Sequence, residues 1–83
     1  MSRPVPAATA TLAVLRYLSQ RTVPVPAALI ASEVGLPRST TYHLLHAMAE
    51  QSFVVHYPED RRWGVGVAAW EVIRESQDDV AST

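Results

Sequence analysis

The chain has 83 residues, the size of one small domain, and a domain of this length buries only about 60% of its unfolded surface. Hydrophobic residues make up 48% of the chain and charged residues 18%, which excludes the polar, highly charged composition of disordered proteins. The absence of cysteine excludes disulfides and thiolate metal sites, and it favours a reducing cytoplasm.

The apolar stretches of the chain are all short. Pro4 and Pro6 interrupt the N-terminal one, which does not fit a secretory signal peptide. Arginine and glutamate residues interrupt the others before any reaches the ~20 residues needed to cross a bilayer. We therefore expect a soluble, cytoplasmic protein with no membrane partner.

The net charge of −1 is unevenly distributed along the chain. Residues 1–66 carry six arginines against four acidic residues, whereas residues 67–83 carry one arginine against four acidic residues. All seven basic residues are arginine, which suits bidentate contacts to phosphate and guanine. The first part of the chain therefore retains the charge for a basic face, with weak and salt-sensitive nucleic-acid binding by a single copy.

The six prolines divide the chain into segments, because proline disrupts helix interiors. After an N-terminal arm, residues 1–7, the spacing of apolar residues predicts a first helix from about Ala8 to Gln20. Four residues of this helix are expected to form the stripe that faces the core: Ala8, Leu12, Leu15 and Leu18, with Val14 and Tyr17 widening it.

A second and a third helix follow, separated by a short connection. The second is expected over Pro26–Val34, with the proline in its first turn and Gly35 as its C-terminal cap. Ser39 or Thr40 is expected to cap the third helix, which should end near Gln51. The inward-facing residues of the third helix are expected to be Thr41, Leu44, Leu45 and Met48.

Alternating apolar and polar residues then predict a β-hairpin over Phe53–Val65, turning at Pro58–Asp60. Trp63 in this hairpin and Trp70 beyond it fit core packing better than stacking on single-stranded nucleic acid.

A final helix is expected from Val67, fraying into a polar tail over residues 77–83. The expected fold is therefore mainly α with a small β-hairpin. It is a winged helix-turn-helix with a three-helix core and a wing over residues 8–66, followed by a C-terminal linker helix and tail over residues 67–83.

Burying the inward face of the third helix turns a polar face outward, near a wing tip that carries two arginines. Groups at the helix start suit phosphate, those along the helix suit base edges in the major groove, and the wing arginines suit a flanking phosphate or the minor groove. The candidate DNA-binding residues are, in that order, Arg38, Ser39 and Thr40; Tyr42, His43 and His46; and Arg61 and Arg62. Two alternatives stay open: the hydroxyls only cap the helix, and the wing tip is a solvated turn.

His43 and His46 are three residues apart and, with His56, raise the question of a metal site. No acidic or cysteine partner lies at ligand spacing, so we expect no metal and no cofactor. No hydroxyl has a recognisable base partner and no glycine-rich phosphate loop occurs, so we do not expect an enzyme.

The run Gly35–Thr40, continuing through Leu45, resembles the recognition segment of the IclR (isocitrate lyase regulator) family of bacterial transcription regulators. The resemblance spans roughly residues 8–73, with Phe53 opening the wing and Gly66 preceding the linker helix. It implies a homodimer, held through the first helix and the linker helix, that binds a palindromic or direct-repeat DNA operator. It also implies a larger ligand-sensing domain after the linker helix, and a small-molecule effector only where that domain exists.

The chain departs from the family pattern at four positions. His43 stands where the family usually has arginine, Leu29 replaces a common glutamate, and Gly64 replaces a frequent wing arginine. Ser52 stands where the family generally has glycine before the wing, so a left-handed turn there would cost roughly 1 kcal/mol.

Two functions of different classes follow from the sequence. The first is sequence-specific binding of double-stranded DNA by a bacterial transcription regulator. The alternative is a winged helix that binds another protein and not DNA, because the net charge is low and Trp70, Val72 and Ile73 form an apolar patch.

Overall fold

The structure, a computed structural model, describes residues 5–82, with side chains described up to residue 77. Its elements in chain order are α1 (Pro6–Ser19), β1 (Val25–Pro26), α2 (Ala27–Val34), α3 (Arg38–Glu50), β2 (Val54–Tyr57), β3 (Arg62–Val65) and α4 (Val67–Ser82). Residues 1–4 of the expected N-terminal arm and Thr83 lie outside the described residues. The three-helix core, the hairpin and the C-terminal helix of the predicted winged helix-turn-helix are all present.

The sheet has three antiparallel strands in the order β1, β3, β2. β2 and β3 form the predicted hairpin, with Val54 opposite Val65 and His56 opposite Trp63. β1, which the sequence analysis did not predict, pairs with the other side of β3 and places Val25 opposite Trp63. A strand of two residues, the second of them a proline, carries no alternating pattern, so only its pairing with β3 reveals it.

The core lies between the first three helices and the inner face of the sheet. Trp63 is its largest side chain and is only 1% exposed. Truncating a fully buried side chain of this size costs roughly 3–5 kcal/mol, so the wing is tied firmly to the helices. The buried hydrophobic residues of this core are Val14, Leu18, Val25, Ala27, Ile30, Leu45, Met48, Val54 and Trp63.

The expected core face of α1 was wrong at two positions. Leu12 is 63% exposed and Ala8 is also exposed, whereas Val14 and Leu18 are buried. Successive helical residues are about 100° apart, so residues 12 and 14 lie on nearly opposite sides and cannot face the same core. Apolar residues cover most of the circumference of α1, and its packing against the sheet selects the side with Val14.

The connection between α2 and α3 follows the prediction. Gly35 adopts a left-handed conformation with φ 79°. The backbone N–H groups of Gly35 and Leu36 both donate to the Ala31 carbonyl oxygen at 2.9 Å. Glycine has no Cβ atom to clash in this conformation, and Gly35 ends α2 as expected. Pro26 lies one residue before α2 rather than in its first turn.

The start of α3 differs from the prediction that Ser39 or Thr40 caps it. The helix begins at Arg38, and Pro37 occupies the cap position without a side-chain hydrogen bond. Pro37 is held in an extended conformation, with φ −58° and ψ 148°, so its carbonyl already accepts from the Thr41 N–H at 3.0 Å. Ser39 and Thr40 therefore lie inside the first turn.

The wing begins and ends at one tight junction. Ser52 has φ 63°, the left-handed turn that the sequence analysis considered for this position. Gly66 passes directly over it: its N–H donates to the Phe53 carbonyl at 2.8 Å, and the Ala68 N–H donates to the Ser52 carbonyl at 3.0 Å. A Cβ atom on Gly66 would overlap the Ser52 carbonyl oxygen. The junction therefore fixes where the wing leaves the core and where α4 starts.

α4 packs less closely than expected. Trp70, predicted to lie in the core, is 55% exposed, and Ala69 is the only buried hydrophobic residue among the described side chains of α4. The helix reaches Ser82, although a polar tail was expected from Gln77. Trp70 instead lines a surface groove between α1 and α4.

Candidate nucleic-acid interface

The exposed face of α3 is set by the residues that α3 buries. Thr41 and Leu45 are completely buried and Met48 nearly so, as predicted, while Leu44 is half-buried. Thr41, the one buried polar residue among the described side chains, satisfies its hydroxyl by donating to the Pro37 carbonyl at 3.0 Å. The opposite face of α3 is thereby directed outward.

Three predicted site residues occupy the first turn of α3. Arg38 and Ser39 are exposed and Thr40 is half-buried. The Thr41 N–H donates the first helical hydrogen bond, to the Pro37 carbonyl, so the N–H groups of residues 38–40 have no partner within the helix. The first turn contains no acidic residue. Together, these donors and the positive end of the helix dipole form an environment suited to an anion such as phosphate.

The other exposed residues of α3 form a row that leads to the wing. Arg38, Tyr42 and His46 are each four residues apart and therefore lie along one side of the helix. The Tyr42 and His46 rings stack with their centroids 6.4 Å apart, and the His46 and Trp63 rings form a T-shaped contact with centroids 5.3 Å apart. His43 is also exposed, three residues before His46.

The two wing arginines occupy different positions. Arg61 lies in the turn of the hairpin with φ 54°, and its N–H donates to the Pro58 carbonyl at 3.3 Å. Arg62 is the first residue of β3, and its guanidinium donates to the Pro24 carbonyl at 3.4 Å. Both side chains are exposed, but the contact with Pro24 draws Arg62 toward β1. Arg61 therefore extends the tip of the wing.

His56 belongs to this surface and was not among the predicted DNA-binding residues. Its ring stacks on Trp63 with centroids 4.2 Å apart and an angle of 25° between the planes. The sequence signal that could have identified it is the hairpin register, which places His56 directly opposite Trp63. A shift of one residue in that register would have turned His56 to the other face of the sheet.

Within the described part of the chain, no group of three or more His, Cys, Asp or Glu residues is arranged to hold a metal ion. Neither His43 nor His46 therefore has a ligand set around it in residues 5–77. Among the same residues, no helix is long and apolar enough to span a membrane.

Comparison with known proteins decides the family. The model of the IclR helix-turn-helix domain matches residues 7–58. The chain belongs to the IclR helix-turn-helix family. It is therefore a DNA-binding winged-helix domain of the kind found in transcription regulators, as the sequence analysis predicted.

Among IclR-family proteins, the chain is similar to the transcriptional repressor IclR of Escherichia coli K12, with 34% identity over 64 residues. That region covers 77% of this chain but 23% of the relative. The chain thus spans less than a quarter of the length of that relative.

Solved structures support the fold. An IclR transcriptional regulator from Alicyclobacillus acidocaldarius superposes with a TM-score of 0.80 at 24% identity, over 84% of this chain and 28% of that one. The Zalpha domain of Cyprinid herpesvirus 3 ORF112, solved for its binding mode to Z-DNA, superposes with a TM-score of 0.65 at 27% identity. That alignment covers 75% of this chain and 98% of the Zalpha chain, so the winged helix alone accounts for the likeness.

Proposed function

We propose that this chain binds a double-stranded DNA operator sequence-specifically, as a homodimer in the bacterial cytoplasm, with α3 in the major groove. The observation that carries the proposal is the row of Arg38, Tyr42 and His46 along the outer side of α3. This row is exposed because Thr41 and Leu45, on the other side, are buried. A helix with such a face fits the width of the major groove.

The first turn of α3 binds the DNA backbone in this proposal. Arg38 supplies the charge, while Ser39, Thr40 and the N–H groups without helical partners supply donors to one phosphate. Such contacts fix the position of the helix on the duplex without reading its sequence. Arg61 and Arg62 make the equivalent contacts from the wing, at a neighbouring phosphate or in the minor groove.

Tyr42 and His43 read the base edges. They follow the backbone-binding turn along α3, and hydroxyl and imidazole groups both donate and accept hydrogen bonds. His43 replaces the arginine that is usual in the family, so the chain selects a different base pattern from its relatives at that position. The operator is therefore best found by selection rather than by analogy.

The homodimer is supported by the apolar groove between α1 and α4, which has a volume of about 400 Å³. Leu12 from α1 and Trp70, Val72 and Ile73 from α4 line it, and all four are at least half exposed. Exposed apolar side chains concentrated in one groove are typical of an interaction surface. A second copy placed there doubles the number of arginine contacts to DNA, which compensates for the small charge of one copy.

The direct test measures binding of the purified chain to duplexes selected from a random pool. Arg38→Ala is expected to weaken binding to every duplex and to reduce the slope of log K against log salt by about 0.9, because one phosphate contact is lost. Arg74→Ala is the matched control, since Arg74 is an exposed arginine on α4. The control should keep both affinity and slope, and equal behaviour of the two variants would contradict the proposal.

A second candidate function is a protein-binding winged helix without DNA binding. The exposed Trp70, Val72 and Ile73 favour it, because they form an apolar face on α4. Under this second function, no duplex is enriched from the random pool and none binds the chain even at low salt. A protein partner is instead captured through α4.

A further inference from the structure

Two imidazoles from different elements pack against the same buried tryptophan. His46 comes from α3 and meets Trp63 edge to face at 5.3 Å, with an angle of 88° between the rings. His56 comes from β2 and stacks on Trp63 at 4.2 Å. Both imidazoles are exposed, whereas Trp63 is only 1% exposed. Trp63 therefore serves as a rigid base that orients the two imidazoles and does not itself contact a ligand.

The two imidazoles mark the junction between the recognition helix and the wing. His46 is the last residue of the row that starts with Arg38 and Tyr42. His56 is an exposed residue of β2, on the face of the wing that carries Trp63. The pair therefore lies between the two sets of backbone contacts, from α3 and from Arg61, that the proposed function assigns.

The charged and titratable groups of the surrounding elements define the electrostatics of the pair. The hydrogen bonds made by described side chains involve Thr11, Ser19, Thr41 and Arg62, and none of them reaches an imidazole. Neither imidazolium is thus held in advance by a hydrogen-bonded carboxylate within residues 5–77. The groups on neighbouring elements are Tyr42, His43 and Glu50 on α3; Tyr57 on β2; Glu59, Asp60 and Arg61 in the hairpin turn; and Arg62 on β3.

We propose that His46 and His56 form a phosphate-binding pair that takes up protons from solvent when DNA binds, so that operator affinity rises as the pH falls. The proposal rests on the proposed function, since it requires DNA at this surface. Histidine is the side chain whose charge ordinarily changes between roughly pH 5 and 8. A phosphate beside each ring favours the imidazolium, whereas the free protein offers it no hydrogen-bonded counter-ion.

The direction of the effect follows from linkage. Because the bound state holds more protons than the free state, the affinity increases toward low pH and is lost as the pH rises. Each fully coupled imidazole contributes about one to the slope of log K against pH, which is about tenfold in affinity per pH unit.

The experiment measures the affinity for the selected duplex by fluorescence anisotropy from about pH 5.5 to 8.5 at constant ionic strength. The native chain is compared with His46→Gln, His56→Gln and the double variant, in which the side chains stay polar but do not titrate. The native slope is expected to fall in each single variant and to vanish in the double variant. The ratio of the native affinity to the double-variant affinity is expected to shrink steadily as the pH rises toward 8.5.

His43→Gln is the matched control, because His43 lies on the same face of α3 but makes no ring contact with Trp63. It should keep the native pH slope whatever its effect on affinity at a single pH. Calorimetry in two buffers of different ionisation enthalpy counts the protons directly and should show fewer taken up by the double variant. A merely structural role for His46 and His56 would lower affinity equally at every pH.

Two failures are distinguishable. If no duplex binds at any pH, the proposed function is wrong. If the native chain binds DNA but its affinity does not change with pH, or the slope survives in the double variant, then DNA binding stands and the proton-coupled pair is wrong. The proposal would also be wrong if the slope of log K against pH were lost in His43→Gln but kept in the His46 and His56 variants.

Discussion

Ser52 and Gly66 are in contact at the base of the wing, and the position of the Ser52 carbonyl leaves room only for glycine at residue 66. Ser52 holds φ 63° although it carries a Cβ atom, which costs roughly 1 kcal/mol relative to glycine. The sequence analysis could identify this position as a departure from the family. It could not identify the reason for Gly66, because the close approach involves residues 14 positions apart and exists only in the folded chain.

Gly66→Ala is therefore expected to destabilise the domain by about 2 kcal/mol or more, since the added Cβ would overlap the Ser52 carbonyl oxygen. Gly64→Ala is the matched control: its Cβ would meet the Tyr57 ring at 3.5 Å, an ordinary contact, and the change should stay within about 0.5 kcal/mol. Urea unfolding of both variants provides the comparison. Equal stabilities for the two would mean that the junction at Ser52 is not close-packed.

At the scale of elements, the sequence was most informative where one residue type is required by the backbone. Gly35 ends α2 and the hairpin turns near Pro58, both as predicted. It was less informative for α1, whose apolar residues surround the helix, so that only packing against the sheet selects Val14 over Leu12. Similarly, the start of α3 depended on the extended conformation of Pro37 and not on the hydroxyls that follow it.

α4 is the element whose environment was predicted least well, and its exposed face leads to a prediction about assembly. Ile73→Asp places a charge in the groove between α1 and α4 and is expected to convert a dimer into a monomer, because the charge would be buried unpaired in the interface. Sedimentation velocity measures the change. Glu71→Arg alters the charge of α4 outside the groove and should leave the dimer intact. If both variants and the native chain sediment as monomers at concentrations that saturate DNA, the homodimer is wrong.

At the scale of the whole molecule, the structure separates two surfaces with different chemistry. Arg38, Arg61 and the exposed imidazoles lie along α3 and the wing, whereas the exposed apolar residues of α4 line the groove with α1. The sequence was sufficient to predict the residues that α3 exposes, apart from the half-buried Thr40, because the burial of Leu45 and Met48 follows from helical spacing. It was insufficient for the wing side, because the position of His56 depends on its register with Trp63.

The most direct measurement of the central claim, that the outer side of α3 faces DNA, is the mapping of amide chemical shifts of the labelled chain on addition of the selected duplex. The largest changes are expected in the first turn of α3, at Tyr42, His43 and His46, and at the wing tip around Arg61. Amides of α1 and α4 should respond only through dimer formation, in proportion to protein concentration rather than to DNA. Changes centred on α4, with the first turn of α3 unperturbed at saturation, would contradict the claim.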